Sequence, residues 1–473
     1  MNWVFLPLLP LFLLLIHRIL RFQSQRGSVK NKIRRNRDIA NFSIFHAKSL
    51  HDRLRLRAGP NARLVTTFGI YNSFTTTDET RHAEFLHRAI HTIKSADKTA
   101  WCRVWTLANG TMDTLVSHLH NRGQHAVNVE RTVRILCFDA VLELLFAHTR
   151  IQPFDIEHAD HVTKLINVLW LKSKKESDEL RSVDQKHTLN SLHKALRELV
   201  SGEEGQILAF IMPAYETLWR VVLLTYIHVA FRYIDTATTD LVHEVVEIVS
   251  RDSGVGAQLP PTVDNFAREA LRLYPPTKRI YRASPLRTLA ADVESMHHDV
   301  QIWGLDALEF RPSRFGALIQ DQKDAYMPFG VGRNTCPAIN GFGRKMISSL
   351  VVALITRLGT RESGARVWFG DDKLDIDMRA PLPTGRNDMG QWVILYCVLD
   401  YVESVALVIR FYALFPSTYE DLDSLDNDIS WRQTFHIFGY DETLVTRRPG
   451  HYSQLADTKC KLRPPQFHVA RIK

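Results

Sequence analysis

The segment MPFGVGRNTCPA, residues 327–338, is a compact, glycine-permitted loop that ends on a cysteine. Pro337 follows at a first helical position, where its missing N–H is tolerated. A helix N-terminus would offer Cys336 unsatisfied N–H groups and the positive end of a dipole, favouring the thiolate and metal ligation. Taken alone, one cysteine is more often a small buried hydrophobe. Zinc is disfavoured, because the adjacent His297 and His298 do not easily reach one ion and no further ligands stand at zinc spacing. The Gly-x-Gly of the loop is not a dinucleotide site either: the third glycine, a preceding buried strand and an acidic ribose partner are all missing.

Three upstream segments must position that loop. A helical pattern from Val263 to Tyr274 stops at Pro275 and Pro276, which lack N–H donors, and carries Glu269 and Arg272 on one face. Alone, that pair reads as an ordinary surface contact. A strand-like stretch, Lys278 to Arg282, follows, and then HHDVQIWGLDALEFRPSRF, residues 297–315. Further upstream, Glu204 to Ala230 is almost continuously apolar, and its length favours a buried helix over a strand. Glu216, Arg220 and Pro213 weaken a membrane-spanning reading of it. Pro213 predicts a kink, and the tetrapeptide Ala214-Tyr215-Glu216-Thr217 alone would be a polar interruption of a core helix.

Taken in order, these segments resemble the cytochrome P450 superfamily, specifically its fungal membrane-bound type. The resemblance covers residues 200–395 well and 60–200 weakly. It implies a mainly α fold with small β-sheets (α+β), and it makes Cys336 the axial ligand of a heme b iron with the Phe329 ring beside its sulfur. Thiolate ligation favours cleavage of dioxygen. Glu269, Arg272 and Arg314 would form the network that holds the loop under the heme. Ala214 to Thr217 matches the oxygen-activating segment, so Glu216 and Thr217 are the candidate catalytic pair, an acid and a hydroxyl able to relay protons. This sequence departs from the family at Asn334, where an arginine is usual, and at Ala338, where a glycine is usual. Arg333 or Arg282 is then expected to take over the propionate contact. The tryptophan-and-arginine pair of an earlier helix is not visible around Arg81 to Arg88.

The 473 residues carry a net charge of +9, but eight basic residues between His17 and Arg37 supply nearly all of it. Without them the chain is balanced, which excludes a nucleic-acid-binding face and points to a membrane-flanking patch. Residues 1–20 read as an uncleaved transmembrane helix, followed by a basic linker and entry to the catalytic domain over 21–59, the catalytic domain over 60–395 and a C-terminal extension over 396–473. The basic run keeps the bulk of the chain in the cytosol, on a single-pass protein of the endoplasmic reticulum. Five scattered cysteines without a C-x-x-C pair fit a reducing compartment. The chain has no flavin or nicotinamide motif, so the resemblance implies NADPH-derived electrons from a flavoprotein reductase docking near Arg333, Arg344 and Lys345, and a small apolar substrate. A catalytically weak heme-binding relative and a heme isomerase or dehydratase that needs no reductase are the alternatives.

Overall fold

Apolar periodicity near 3.6 residues dominates the chain, and the computed structural model is accordingly mainly helical. It describes residues 27–395 apart from 121–125, 175–178, 203, 252–253, 257 and 387–388. The expected anchor over 1–20 and extension over 396–473 lie outside the described residues.

Residues 27–40 form helix α1. There follow α2 (Leu50–Phe68), α3 (Glu79–Ser95), α4 (Lys98–His120), β1 (Ala126–Asn128), α5 (Val129–Phe146), α6 (Ile156–Lys172) and α7 (Glu179–Arg197). Short polar side chains start several of them by accepting first-turn N–H groups: Ser49 for α2, Asp78 for α3, Asn128 for α5 and Asp155 for α6. Next come α8 (Glu204–Tyr215), α9 (Trp219–Phe231), α10 (Thr236–Arg251), α11 (Pro261–Leu273) and the antiparallel pair β2 (Arg279–Ala283) and β3 (Thr288–Asp292). Short pieces α12 (Val293–His297), α13 (Val300–Trp303) and α14 (Gln320–Ala325) lead to α15 (Phe342–Leu358). Then β4 (Arg366–Trp368), α16 (Asp372–Ile376) and β5 (Val393–Leu395) close the described chain, with β1, β5 and β4 forming one antiparallel sheet. One core, in which Phe138, Leu223, Phe266 and Leu350 are buried, joins α5, α9, α11 and α15.

The structure corrects or sharpens three expectations. First, within the stretch expected as linker and entry to the catalytic domain, residues 27–40 and 50–58 are helical. The apolar Val29 and Ile33, spaced i and i+4, seat α1 against Ile302, Trp303 and Ala307, and the boundary at 59/60 falls inside α2. Part of the basic run is also compensated: Lys32 pairs with Asp299 at 2.6 Å and Arg37 with Asp324 at 3.4 Å. Second, the long apolar segment Gln206–Phe231, by composition able to cross a membrane, is largely buried in the core as expected, but it breaks at residues 216–218. The break lies one turn beyond the expected kink. Pro213 has no N–H for Ala209 O, and the buried amide of Asn72 donates there instead, at 2.9 Å. Third, Cys336 does not begin the long helix. It precedes a single 3₁₀ turn, Pro337–Ile339, and α15 starts only after Gly341, whose φ of +101° no L side chain adopts readily. So short a turn gives Cys336 little of the dipole expected for it.

Candidate functional site

Helix α11 places Glu269 and Arg272 on its buried face. Both are wholly buried, and Arg272 makes a two-pronged contact: Nε donates to Glu269 Oε2 at 2.7 Å and Nη2 to Oε1 at 2.8 Å. Arg314 Nε donates to the same Oε1 at 3.0 Å, as does the Arg311 backbone N–H at 2.9 Å. Arg272 Nη1 also donates to the carbonyls of His297 (2.6 Å) and Ala307 (2.7 Å). The structure therefore brings Glu269, Arg272 and Arg314 together, as a carboxylate held by the two prongs of Arg272 and one N–H of Arg314.

His297 and His298 cap the end of α11. His298 Nε2 donates to Leu273 O at 2.7 Å. His297 Nε2 accepts from the Met327 N–H at 3.1 Å, so its Nδ1–H donates to Arg272 O at 3.1 Å. Burial, with the charge of Arg272 beside it, pushes the His297 pKa down to about 3 and keeps the ring neutral. These bonds fasten the first residue of the cysteine loop to α11.

Within the loop, Gly330 and Gly332 take φ of +75° and +67°, and the Cys336 N–H donates to Phe329 O at 2.9 Å. The half-buried Phe329 ring packs on Gly343, where an added Cβ would stand 3.3 Å from it. Cys336 is exposed as a residue. Desolvation by the surrounding loop nevertheless pushes its thiol pKa up, against a smaller downward pull from the Ala338 N–H.

Three donors whose acceptors are missing bear on whether a carboxylate-bearing macrocycle fits here. Arg57 Nε, Arg282 Nε and Asn334 Nδ2 are buried without a hydrogen-bond partner. Such orphans cost about 1–3 kcal/mol each. Arg57 Nη2 donates to Ser73 Oγ at 3.2 Å and to His82 Nδ1 at 3.3 Å. Arg282 donates to Tyr281 O and Ala40 O, and its guanidinium lies 4.1 Å from the Phe42 ring. Burial lowers the Arg57 pKa to about 10; burial and then Arg57 lower that of Arg282 to about 9. No carboxylate among the described residues offsets either. Asn41, between the Ala40 and Phe42 contacts, reaches the cysteine loop at Gly332. An exposed cysteine with unanswered donors nearby fits a heme with its propionates. Two cavities, of about 390 Å³ beside Asn31 and Ile39 and about 10 Å³ beside Arg220 and Glu294, are not lined by Cys336.

Arg333 is exposed and makes no side-chain bond among the described residues. The expected basic docking face is also reduced: Arg344 is held by Asp264 (2.5 Å) and Ile339 O (2.6 Å), and Lys345 is buried with its ammonium 5.4 Å from the Trp101 ring. At the α8–α9 break, Thr217 Oγ1 donates back to Pro213 O at 2.7 Å. Glu216 is buried and paired with the buried Arg386, yet neither of its oxygens has a well-formed hydrogen bond. Arg57, His82 and Arg386 escape the sequence reading. Their contacts join segments 25 to 170 residues apart, and no local spacing announces them.

A buried carboxylate–guanidinium network thus braces a glycine loop that presents one exposed cysteine. Residues 240–358, which hold that network and loop, match the family model for cytochrome P450. Cytochrome P450 CYP749A22 of Panax ginseng is 37% identical over 95 residues (17% of this chain, 18% of that protein). Cytochrome P450 714D1 of Oryza sativa subsp. japonica is 31% identical over 138 residues, 24% of each chain. A putative cytochrome P450, CYP13A2 of Caenorhabditis elegans, is 27% identical over 165 residues (30% and 31%). The chain thus spans 18% and 24% of the length of the first two relatives. The solved cytochrome P450SP alpha (CYP152B1) in complex with (R)-ibuprophen has a TM-score of 0.48 and 16% identity, covering 72% of this chain and 85% of its own. The family model and the curated relatives together support the cytochrome P450 superfamily, and these relatives come from plants and a nematode.

Proposed function

We propose that this chain is a heme-thiolate monooxygenase, of the fungal membrane-bound type, that oxidises a small apolar molecule of secondary metabolism. The observation that carries the reading is the exposed Cys336 on a loop fastened to the buried Glu269–Arg272–Arg314 network. Heme b, when bound, supplies the activation of dioxygen. Cys336 would hold the iron, Phe329 would shield the sulfur, and Arg57, Arg282 and Asn334 would answer the propionates. Glu216 and Thr217, at the break in the long central helix, would hold and pass protons. Electrons would come from NADPH through a flavoprotein reductase. Residues 1–20 would anchor the chain in the endoplasmic reticulum with residues 60–395 on the cytosolic side.

The deciding experiment is the absorbance of the reduced, carbon-monoxide-bound protein. The shifted thiolate band is expected, and its loss in Cys336→Ser; a band that persists in the variant refutes the ligand. One observation favours a second reading, a heme enzyme that needs no reductase: the Arg386 guanidinium already engages Glu216. Product formed only with NADPH, reductase and dioxygen supports the first reading, and product formed without reductase supports the second.

A further inference from the structure

We infer that the wall over the α8–α9 break is an anion site, and that the molecule it serves carries a carboxylate on an apolar, ring-bearing body. Four segments converge there. Helix α2 supplies Arg63, α6 supplies Trp170, α9 supplies Trp219 and Arg220, and the stretch before β5 supplies Arg386. The guanidinium carbons of Arg63 and Arg386 stand 4.6 and 4.5 Å from the centroid of the same Trp170 ring, and Arg386 is 6.0 Å from Trp219. Against these cations, the acid in direct contact among the described residues is Glu216, through Arg386. Among the same residues, Arg63 donates to the Ser173 hydroxyl, and Arg220 donates to the carbonyls of Pro276 (3.0 Å) and Thr384 (3.3 Å), with its Nε buried and without a partner. Glu294, a further described acid that acts on Arg220, is already paired with Lys278 at 3.1 Å.

Crowding of like charge is evident in the titration of these groups. Burial and then the Arg386 charge lower the pKa of Arg63 and of Lys174, and bring that of Arg220 to about 10, with Glu216 pulling the other way. Arg386 is buried and Arg63 and Arg220 are partly buried, and partly desolvated cations that share one described carboxylate are better satisfied when another anion joins them. Two guanidinium forks beside an indole present planar pairs of N–H donors, which suit the flat carboxylate. The indole walls provide an apolar surface for the ring body and would strip hydration from a doubly charged phosphate at greater cost.

Assigning this anion to the substrate rests on the heme-thiolate reading; the anion site itself does not. The test is calorimetric binding to the full-length, heme-loaded chain of matched pairs: benzoate and benzamide, 2-naphthoate and 2-naphthamide, laurate and lauramide. At least one acid is expected to bind about tenfold tighter than its amide, a difference of about 1.4 kcal/mol, and to lose that preference as salt rises. Arg63→Gln, which strands no buried acid, should cut the preference below about threefold. The double variant Glu216→Gln/Arg386→Gln, which removes both charges of the buried pair, should do the same. Equal binding within every pair, or a preference that survives both variants, overturns the site. Inorganic phosphate alone binding as tightly as the best acid shows a free-anion site and overturns the substrate assignment. The carbon-monoxide spectrum of the same samples separates the two failures. A normal spectrum without preference sinks only the anion site, and preference without the thiolate band sinks only the heme reading.

Discussion

Replacing Arg272 by alanine removes the guanidinium that serves Glu269 from one side and the carbonyls of His297 and Ala307 from the other. Breaking a buried pair costs about 3–5 kcal/mol, because the partner stays charged out of water. Each stranded carbonyl adds up to about 1–3 kcal/mol, though the contributions overlap. The total, at least about 4 kcal/mol, approaches the whole stability of a marginal domain, about 5–15 kcal/mol. Arg314→Ala should be much milder, about 1–2 kcal/mol, since Glu269 keeps both prongs of Arg272 and the Arg311 N–H. Arg272→Lys should fall between, keeping the charge but reaching fewer of the acceptors. Urea unfolding gives the order directly, and the heme-to-protein ratio after purification gives its consequence: little heme in Arg272→Ala, intermediate loading in Arg272→Lys, and most in Arg314→Ala. Normal heme content in Arg272→Ala, or a larger loss in Arg314→Ala, refutes the bracing role.

Three other outcomes are expected. Thr217→Ala should raise hydrogen peroxide release relative to product, and unchanged coupling counts against a proton role for that hydroxyl. His297 and His228, both buried and neutral with pKa pushed to about 3 chiefly by desolvation, take up protons only on unfolding. Their contribution is therefore full above pH 6.5 and lost as pH falls toward 3, about 2 kcal/mol each by pH 5; a melting temperature flat from pH 7 to 5 contradicts it. Truncation after Leu395 should leave the heme spectrum and activity intact, and loss of folding would show that residues 396–473 are required.

The parts of this fold that were legible in the sequence are those written locally. Pro275 and Pro276 mark the end of α11, the stretch Lys278 to Arg282 becomes β2, and the i, i+3 spacing of Glu269 and Arg272 matches the observed contact. Length and apolarity found the buried α8–α9 segment but not its break point. A proline disturbs the turn before it, and here the abandoned Ala209 carbonyl is satisfied by Asn72, 137 residues earlier, so the helix runs through Pro213 to Tyr215. Charge misled the reading of α1, because five basic residues hide the apolar pair Val29 and Ile33. At Cys336 the proline rule was sound but incomplete, since a proline opens a 3₁₀ turn as readily as an α-helix, and Gly341 then interrupts the chain. Arg57 with His82, and Arg386 with Glu216, exist only once distant segments pack, so no spacing could encode them.

Asn72 and Ser73 are neighbours in the turn between α2 and α3. The first supplies the hydrogen bond that Pro213 withholds from Ala209, and the second meets both Arg57 and His82. Two adjacent side chains thus tie helix α8 and the Arg57–His82 contact to the same short turn, so a substitution at either position is felt at both.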